Sequence, residues 1–434
     1  MDTAGVSVSV AGNFDKGDGS MTESGSLDAA GQAGTARYDV LVVGAGIVGL
    51  GVAYAAHRRG LRVLVCERAS EVVGASVRNF GHLCFTPQSG RAYEFAQRSR
   101  ELWRELAREA DFWLQETGTW VVARTDEEFA VLREFARVRG PREVHTHTVA
   151  SIESKVPVAE AVGGVLLPLD CQVNPREAAS AVRAYLQRCG VEFRFRTAVG
   201  AVASGVAHTS RGDIRADQIV LATNHDIDLL MPDLAQQHGV LRCGLDMMRV
   251  TMGLRAPLTA PLLTGWSLLR YSGFADMAAT VDLRARLHSE FPELAQLDLN
   301  EMYTQLPDGS VIVGDTHYRG ESVASFQREI AFDSLLSLAR ERFDVTDVRV
   351  LERWQGMYAS AANEFLQDIR PDTGIHVAVV TTGIGMSCGL GFAEHTVARI
   401  FADSTWAGAS PVLREAAAVT TSRHPDHELT GSVQ

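Results

Sequence analysis

The sequence predicts an α/β fold, α+β overall, in which a parallel sheet flanked by helices carries a second, antiparallel sheet. Three observations predict it. Residues 38–67 run strand, glycine-rich turn, helix, strand, acidic residue. The run Gln218–Ala222 is apolar and ends in small residues, as a strand buried on both faces does. A last apolar strand, His376–Thr382, enters Gly383-Ile-Gly385 and a closing helix.

The first unit is the most informative. Val40–Val43 leads into Gly44-x-Gly46-x-x-Gly49, a helix is expected over Ile47–Arg59, and Leu61–Cys66 ends in Glu67. This is the order of a Rossmann-type dinucleotide-binding unit. Gly44 makes the tight turn, Gly46 lets backbone approach a pyrophosphate, and Gly49 lets helix pack on strand. The helix N-terminus offers free N–H groups and a positive dipole end to phosphates. Glu67 is placed to accept hydrogen bonds from ribose hydroxyls.

Composition bounds the rest. The chain has 434 residues, 46% hydrophobic and 22% charged, enough for a large core. A net charge of −12 argues against nucleic-acid partners and against adhesion to an anionic membrane. No run of about 18 apolar residues predicts a membrane span. Lysine occurs only at Lys16 and Lys155, so any site built from the second half must use arginine or histidine as its cation. The six cysteines show neither a C-x-x-C nor a metal-ligand spacing, and read as reduced thiols of a cytoplasmic protein. No metal is expected. Residues 1–36 lack a basic start and an apolar run, so they read as a disordered tail in which Met21 is a second possible start. Residues 420–434 read as a loose tail.

Further elements follow in order. Helices are expected over Ser89–Glu116, Asp126–Arg139 and, opened by Asn174-Pro175, to about Cys189. Strands are expected at Thr119–Arg124, Glu192–Arg196, Gly205–Ser210 and Ile214–Ala222. Residues 240–318 read as strand-rich, with Val240–Thr251 and Met302–Val313 clearest. Ser325–Phe343 reads as a helix, Val348–Tyr358 as a strand, and about Gly391–Phe401 as the last helix. The pattern implies a nucleotide-binding domain in three pieces (37–110, 171–235 and 345–405) and a substrate domain from 111–170 and 236–344. The second Gly383-x-Gly385 suits an anionic reduced isoalloxazine as well as a phosphate, which favours FAD over NAD.

These motifs, with the strand end Ala222-Thr223 and Gly383-Ile-Gly-Met-Ser387, resemble the D-amino-acid oxidase, glycine oxidase and sarcosine oxidase group of FAD oxidoreductases. Within it, Gly74-Ala-Ser-Val-Arg-Asn-Phe-Gly81, Met247-Met-Arg249, Gly314-Asp-Thr-His-Tyr318 and Glu352-Arg-Trp-Gln-Gly-Met-Tyr-Ala-Ser360 resemble a branch encoded beside phosphonate-catabolism genes. The resemblance implies FAD-dependent oxidation of the C–N bond of an aminoalkylphosphonate, 2-aminoethylphosphonate or its N-methyl form. Hydride passes to flavin N5, giving an imine and then phosphonoacetaldehyde plus amine. Oxygen or another acceptor would reoxidise the flavin, with oxidase preferred to dehydrogenase. Oxidation of sarcosine-like or D-amino acids is the alternative within enzymes, and an FAD-binding sensor or scaffold the alternative outside them.

Carried over by residue, Gly44, Gly46, Ile47, Val48, Gly49 and Glu67 would hold the ADP half, with Arg68 and Val199 at the adenine. Ser76, Arg78, Asn79 and Gly81 would line the pyrophosphate and flavin, and Ala222 and Thr223 the ribityl side. Gly383, Gly385, Met386 and Ser387 would face the pyrimidine ring. Gly356 stands where sarcosine oxidases carry their flavin-linking cysteine, which implies non-covalent FAD. Met357-Tyr358-Ala359 lacks the carboxylate-binding arginine of glycine and D-amino-acid oxidases, and Ser310–Val313 lacks the sarcosine oxidase lysine.

The chemistry needs an anion clamp, an amine acceptor and a dry cavity around the reacting carbon. Candidate clamps are Arg249, Arg242, Arg353 and His317, with His317, Tyr358 and Gln305 around the amine. Arg249 reads equally as an ion-pair partner on a strand and Asp315 equally as a turn residue beside Gly314, while Trp354 reads as core rather than as a flavin stack.

Overall fold

A computed structural model describes residues 37–402. Both tail expectations lie outside these residues. The first sheet is eight-stranded, and its centre is parallel. Glu192–Arg194, Val63–Cys66, Tyr38–Val43, Gly212–Leu221 and Ile375–Val380 lie side by side in that order. Tyr38–Val43, Val63–Cys66 and Ile375–Val380 are runs buried on both faces, which is why period-two alternation is missing from them, whereas Gly212–Leu221 alternates before its buried end Ile219–Leu221. Helices Ile47–His57, Gly90–Ala110 and Gly385–Ile400 cover it, and Phe95, Trp103 and Phe392 are fully buried among them. Each such side chain contributes roughly 1.5–3 kcal/mol of burial.

The second sheet, also eight-stranded, begins Val348–Ser360, Leu241–Met252, Val311–Gly320, Met302–Gln305. Its order continues Leu262–Leu263, Thr119–Ala123, Gly163–Leu167, His145–His147. Val348–Ser360 is hydrogen-bonded along Leu241–Met252, so the piece expected as 345–405 is shared between the two sheets, with its change of sheet after Ser360.

Several elements differ from expectation for local reasons. Met302–Val313 is two strands, because Pro307-Asp308-Gly309 makes a turn with Gly309 at φ +82°. The helix after Ser89 stops at Ala110, where Asp111 takes a left-handed conformation. Helices Thr280–Glu290 and Pro292–Gln296 interrupt the region read as strand-rich. The last helix starts at Gly385 rather than Gly391, so its N-terminus, not a loop, follows Gly383-Ile384.

Candidate active site

A cavity of about 470 Å³ is lined by residues of both sheets. One end is built from the nucleotide-binding unit. Gly44 sits at φ +104°, and a Cβ there would lie 2.6 Å from the Ala222 carbonyl oxygen. A Cβ on Gly49 would lie 2.0 Å from the Gly44 carbonyl oxygen, so turn and helix can approach only with glycine at both positions. The Glu67 carboxylate accepts from Ala45 N–H at 3.0 Å and from Ala69 N–H at 2.9 Å, which ties the turn to the second strand. The hydroxyl of Ser76 accepts from Ile47 N–H at 2.8 Å, the first N–H of the helix, leaving its own proton to donate. Helices Ile47–His57 and Gly385–Ile400 both begin at this cavity without a capping side chain of their own. Thr223 Oγ1 is buried with no hydrogen-bond partner among the described residues.

The other end is made of side chains. Arg270, Tyr271, Asn300, Asp315, His317 and Tyr358 line it, with Leu245, Met247, Met302 and Met357 between them. Asp315 and His317 lie two apart on strand Val311–Gly320 and so share a face. Arg270 follows a short 3-10 turn, Gly265–Leu269, and reaches the same space from another wall. Its Nη1 donates to Asp298 Oδ1 at 2.8 Å, and Arg319 donates to Asp298 Oδ2 at 2.6 Å. Burial raises the Asp298 carboxyl, but the guanidinium groups of Arg270 and Arg319 outweigh it and hold the pKa down at about 2. Burial pushes the Asp315 carboxyl the other way, up to about 7, against the pull of Arg270. Burial and Arg270 drive His317 well below the usual histidine range. Its Nδ1 donates to the Asp298 carbonyl at 2.8 Å, and its Nε2 lies 3.5 Å from Asp315 Oδ2. Burial lifts the phenol of Tyr358 well above its ordinary value, so it is a hydrogen-bond donor here.

Among the residues expected to hold cofactor, Gly44, Gly46, Ile47, Val48, Glu67, Arg68, Ser76, Arg78, Asn79, Val199, Ala222, Thr223, Gly383, Gly385 and Met386 line the cavity. Gly49, Gly81 and Ser387 do not. Gly49 packs under Gly44, Gly81 backs onto the Val173 carbonyl, and the Ser387 hydroxyl accepts from Cys84 N–H. Of the substrate candidates, His317 and Tyr358 line the cavity and four others point elsewhere. Arg249 lies two residues past Met247, about 7 Å farther along the strand, where it pairs with Asp308 and Glu352 at 3.1 Å each. Arg242 pairs with Asp228 at 2.6 Å, and Arg353 pairs with Glu329 while packing over Phe332. The side chain of Gln305 is spent on Leu258 N–H and the Gly309 carbonyl. Arg270 and Asn300 were not anticipated, and Asp315 is a cavity residue rather than a turn residue. No local pattern marks Arg270; only the fold brings it to the site.

The family model described as FAD dependent oxidoreductase (DAO) matches residues 39–399. The chain belongs to this family. A D-amino acid dehydrogenase of Helicobacter pylori is 23% identical over 255 residues, 45% of this chain and 62% of that protein. A glycine oxidase of Geobacillus kaustophilus is 28% identical over 207 residues, 44% of this chain and 55% of that one. The chain thus spans about three fifths or less of the curated relatives it matches. A crystal structure of the Geobacillus kaustophilus enzyme superposes with a TM-score of 0.69 at 19% identity, covering 85% of this chain and 96% of that one. The likeness shows the α/β fold with its Rossmann-type FAD-binding sheet.

The residues of this member of the family fit an FAD cofactor on their own chemistry. Two helix N-termini whose own N-cap residues Gly46 and Ile384 bring no capping side chain, the unpartnered hydroxyl of Thr223 and the free proton of Ser76 face one space. They offer donors where an FAD carries acceptors. Among the described residues no helix is long and apolar enough to cross a membrane.

Proposed function

We propose that this enzyme oxidises the C–N bond of a small amine that also carries an acidic group, with an aminoalkylphosphonate such as 2-aminoethylphosphonate or its N-methyl form as the preferred substrate. The observation that carries this reading is Arg270: a guanidinium at the side-chain end of the cavity, bonded among the described residues only to Asp298. Its planar fork suits two oxygens of one anion. Because Asp298 is shared with Arg319, this end keeps a net positive charge whenever Asp315 is protonated. The phosphonate itself is supported by the branch motifs and by the lack of an arginine in Met357–Ala359. Glycine oxidase and D-amino acid dehydrogenase likeness favours a second reading, oxidation of sarcosine-like or D-amino acids through the same arginine.

FAD, when bound, supplies the two-electron oxidation. Gly44, Gly46, Glu67, Ser76, Thr223, Gly383 and Gly385 would hold it. Linkage is non-covalent in this reading, because position 356 is a glycine and has no thiol to attach the flavin. Arg270 orients the anion, and Tyr358 donates to the substrate headgroup. Leu245, Met247 and Met302 keep bulk water from the reacting carbon. Oxygen or another acceptor takes the electrons. The described cysteines are all unpaired, which supports work in the reducing cytoplasm.

The test is anaerobic mixing of purified enzyme with 2-aminoethylphosphonate, its N-methyl form, sarcosine and D-alanine. Fastest loss of flavin colour with a phosphonate supports the reading. Faster loss with sarcosine or D-alanine selects the second.

A further inference from the structure

An amine arrives in water as an ammonium ion, and a C–N bond cannot be oxidised by hydride loss until nitrogen has its lone pair back. With an amine pKa of about 10, only about one molecule in a thousand is neutral at pH 7. Some group must therefore take the proton. Resting on the amine reading above, we propose that Asp315 receives the substrate's ammonium group and removes its proton, so that the neutral amine stands in the cavity ready for oxidation.

The placement of Asp315 supports this. It lines the cavity, is 5% exposed, and its Oδ1 is buried without a hydrogen-bond partner among the described residues. A carboxylate oxygen in that state costs free energy unless a ligand completes it. The ammonium N–H groups are donors of the right charge. Other groups at this end are unsuited. Arg270 is already cationic, and the phenols of Tyr271 and Tyr358 keep their protons. His317 uses Nδ1–H on the Asp298 carbonyl, and burial next to Arg270 makes it reluctant to become a cation.

The step balances simply. One N–H bond breaks, its electron pair stays on nitrogen, and an O–H bond forms at Asp315 Oδ1. Oδ2 of the same carboxyl lies 3.5 Å from His317 Nε2, an acceptor in this tautomer, so His317 offers no donor that would hold Asp315 in its ionised form. The charged and titratable groups that face Asp315 are Arg270, Asp298, Tyr271, Tyr358, His317 and the Cys243 thiol. Of these only the acid itself sits near neutrality, at about 7, because burial raises it. An acid of that strength is suited to collecting a proton at physiological pH.

The experiment is stopped-flow flavin bleaching by 2-aminoethylphosphonate and by sarcosine under anaerobic conditions, from about pH 6 to about pH 10, for the FAD-loaded wild type and Asp315→Asn. The wild-type second-order rate is expected to rise through a limb near pH 7. Asp315→Asn should lack that limb, run about 100- to 1000-fold slower at pH 7, and recover towards the wild type as the amine itself deprotonates. Retained flavin absorbance shows that the variant still holds its cofactor. A wild type with no limb near neutrality overturns the inference whether or not the variant folds. So does a variant that keeps both limb and rate. Bleaching by no amine at any pH overturns the amine reading and this inference together, whereas bleaching that ignores Asp315 overturns only the inference.

Discussion

At the nucleotide end of the cavity the ligand would meet mostly backbone: a turn at Gly44, two helix N-termini, and the glycines that let them come close. At the inner end it would meet side chains drawn from separate places in the chain, Arg270 from a 3-10 turn, Asp315 and His317 from one strand, Tyr358 from the next. Backbone recognition requires fixed spacing, because the turn and the helix are one continuous stretch. Side-chain recognition requires only that strands from far apart fold side by side. The first kind of site leaves a motif in the sequence, and the second leaves scattered polar residues that look like any others.

Substitution at a packing glycine should have the largest effect. In Gly49→Val the new side chain meets the Gly44 carbonyl, so the variant should lose both FAD and thermal stability, by roughly 3 kcal/mol or more. Gly46→Val separates the two losses. A Cβ there meets only the Ser76 hydroxyl, at 3.2 Å, so the fold should persist while the pyrophosphate space is filled. Circular dichroism and flavin absorbance of the purified variants check both. A Gly46→Val protein that keeps stoichiometric flavin would show that this end is misread.

At the inner end, Arg270→Ala should lose roughly 2–4 kcal/mol of transition-state binding for an anionic amine, about 30- to 1000-fold in kcat/KM. Arg249→Ala, at the strand's outer end, should change kcat/KM by less than about threefold, since its partners are the surface carboxylates Asp308 and Glu352. Equal losses from the two arginines would erase the distinction between site and surface.

A further effect concerns stability and depends on pH. Asp315 is raised to about 7 in the fold from an ordinary value of 3.8. Below pH 3.8 the carboxyl is neutral in both states and the fold bears no penalty. As pH rises towards 7 and beyond, the unfolded chain ionises freely while the folded one resists, so stability falls. Asp315→Asn should therefore gain on the wild type between about pH 5 and pH 8, by roughly 3 kcal/mol. Melting temperatures at the two pH values decide it, and a constant difference would contradict it.

The parallel sheet was legible because its strands are apolar runs bounded by glycine signals. The antiparallel sheet was less so: Pro307-Asp-Gly309 was absorbed into one strand, and the helices between residues 280 and 296 gave too weak a period. In the site, the glycines and Glu67 were legible. The arginine was not, because Arg249 and Arg270 look alike in sequence and only the fold decides which one faces the cavity. His317 was found because it sits in a polar run on a strand, and its neighbour Asp315 was underrated because burial, not sequence, gives that carboxyl its character.

The most direct test of the central claim compares two substrates across two proteins: the rate of flavin bleaching by 2-aminoethylphosphonate and by ethylamine, in the wild type and in Arg270→Ala. If Arg270 holds the anion, the wild type should favour the phosphonate by about 30-fold or more, and the variant should lose most of that preference while its rate with ethylamine changes little. An Arg270→Ala enzyme that still prefers the phosphonate by the wild-type factor would contradict the account.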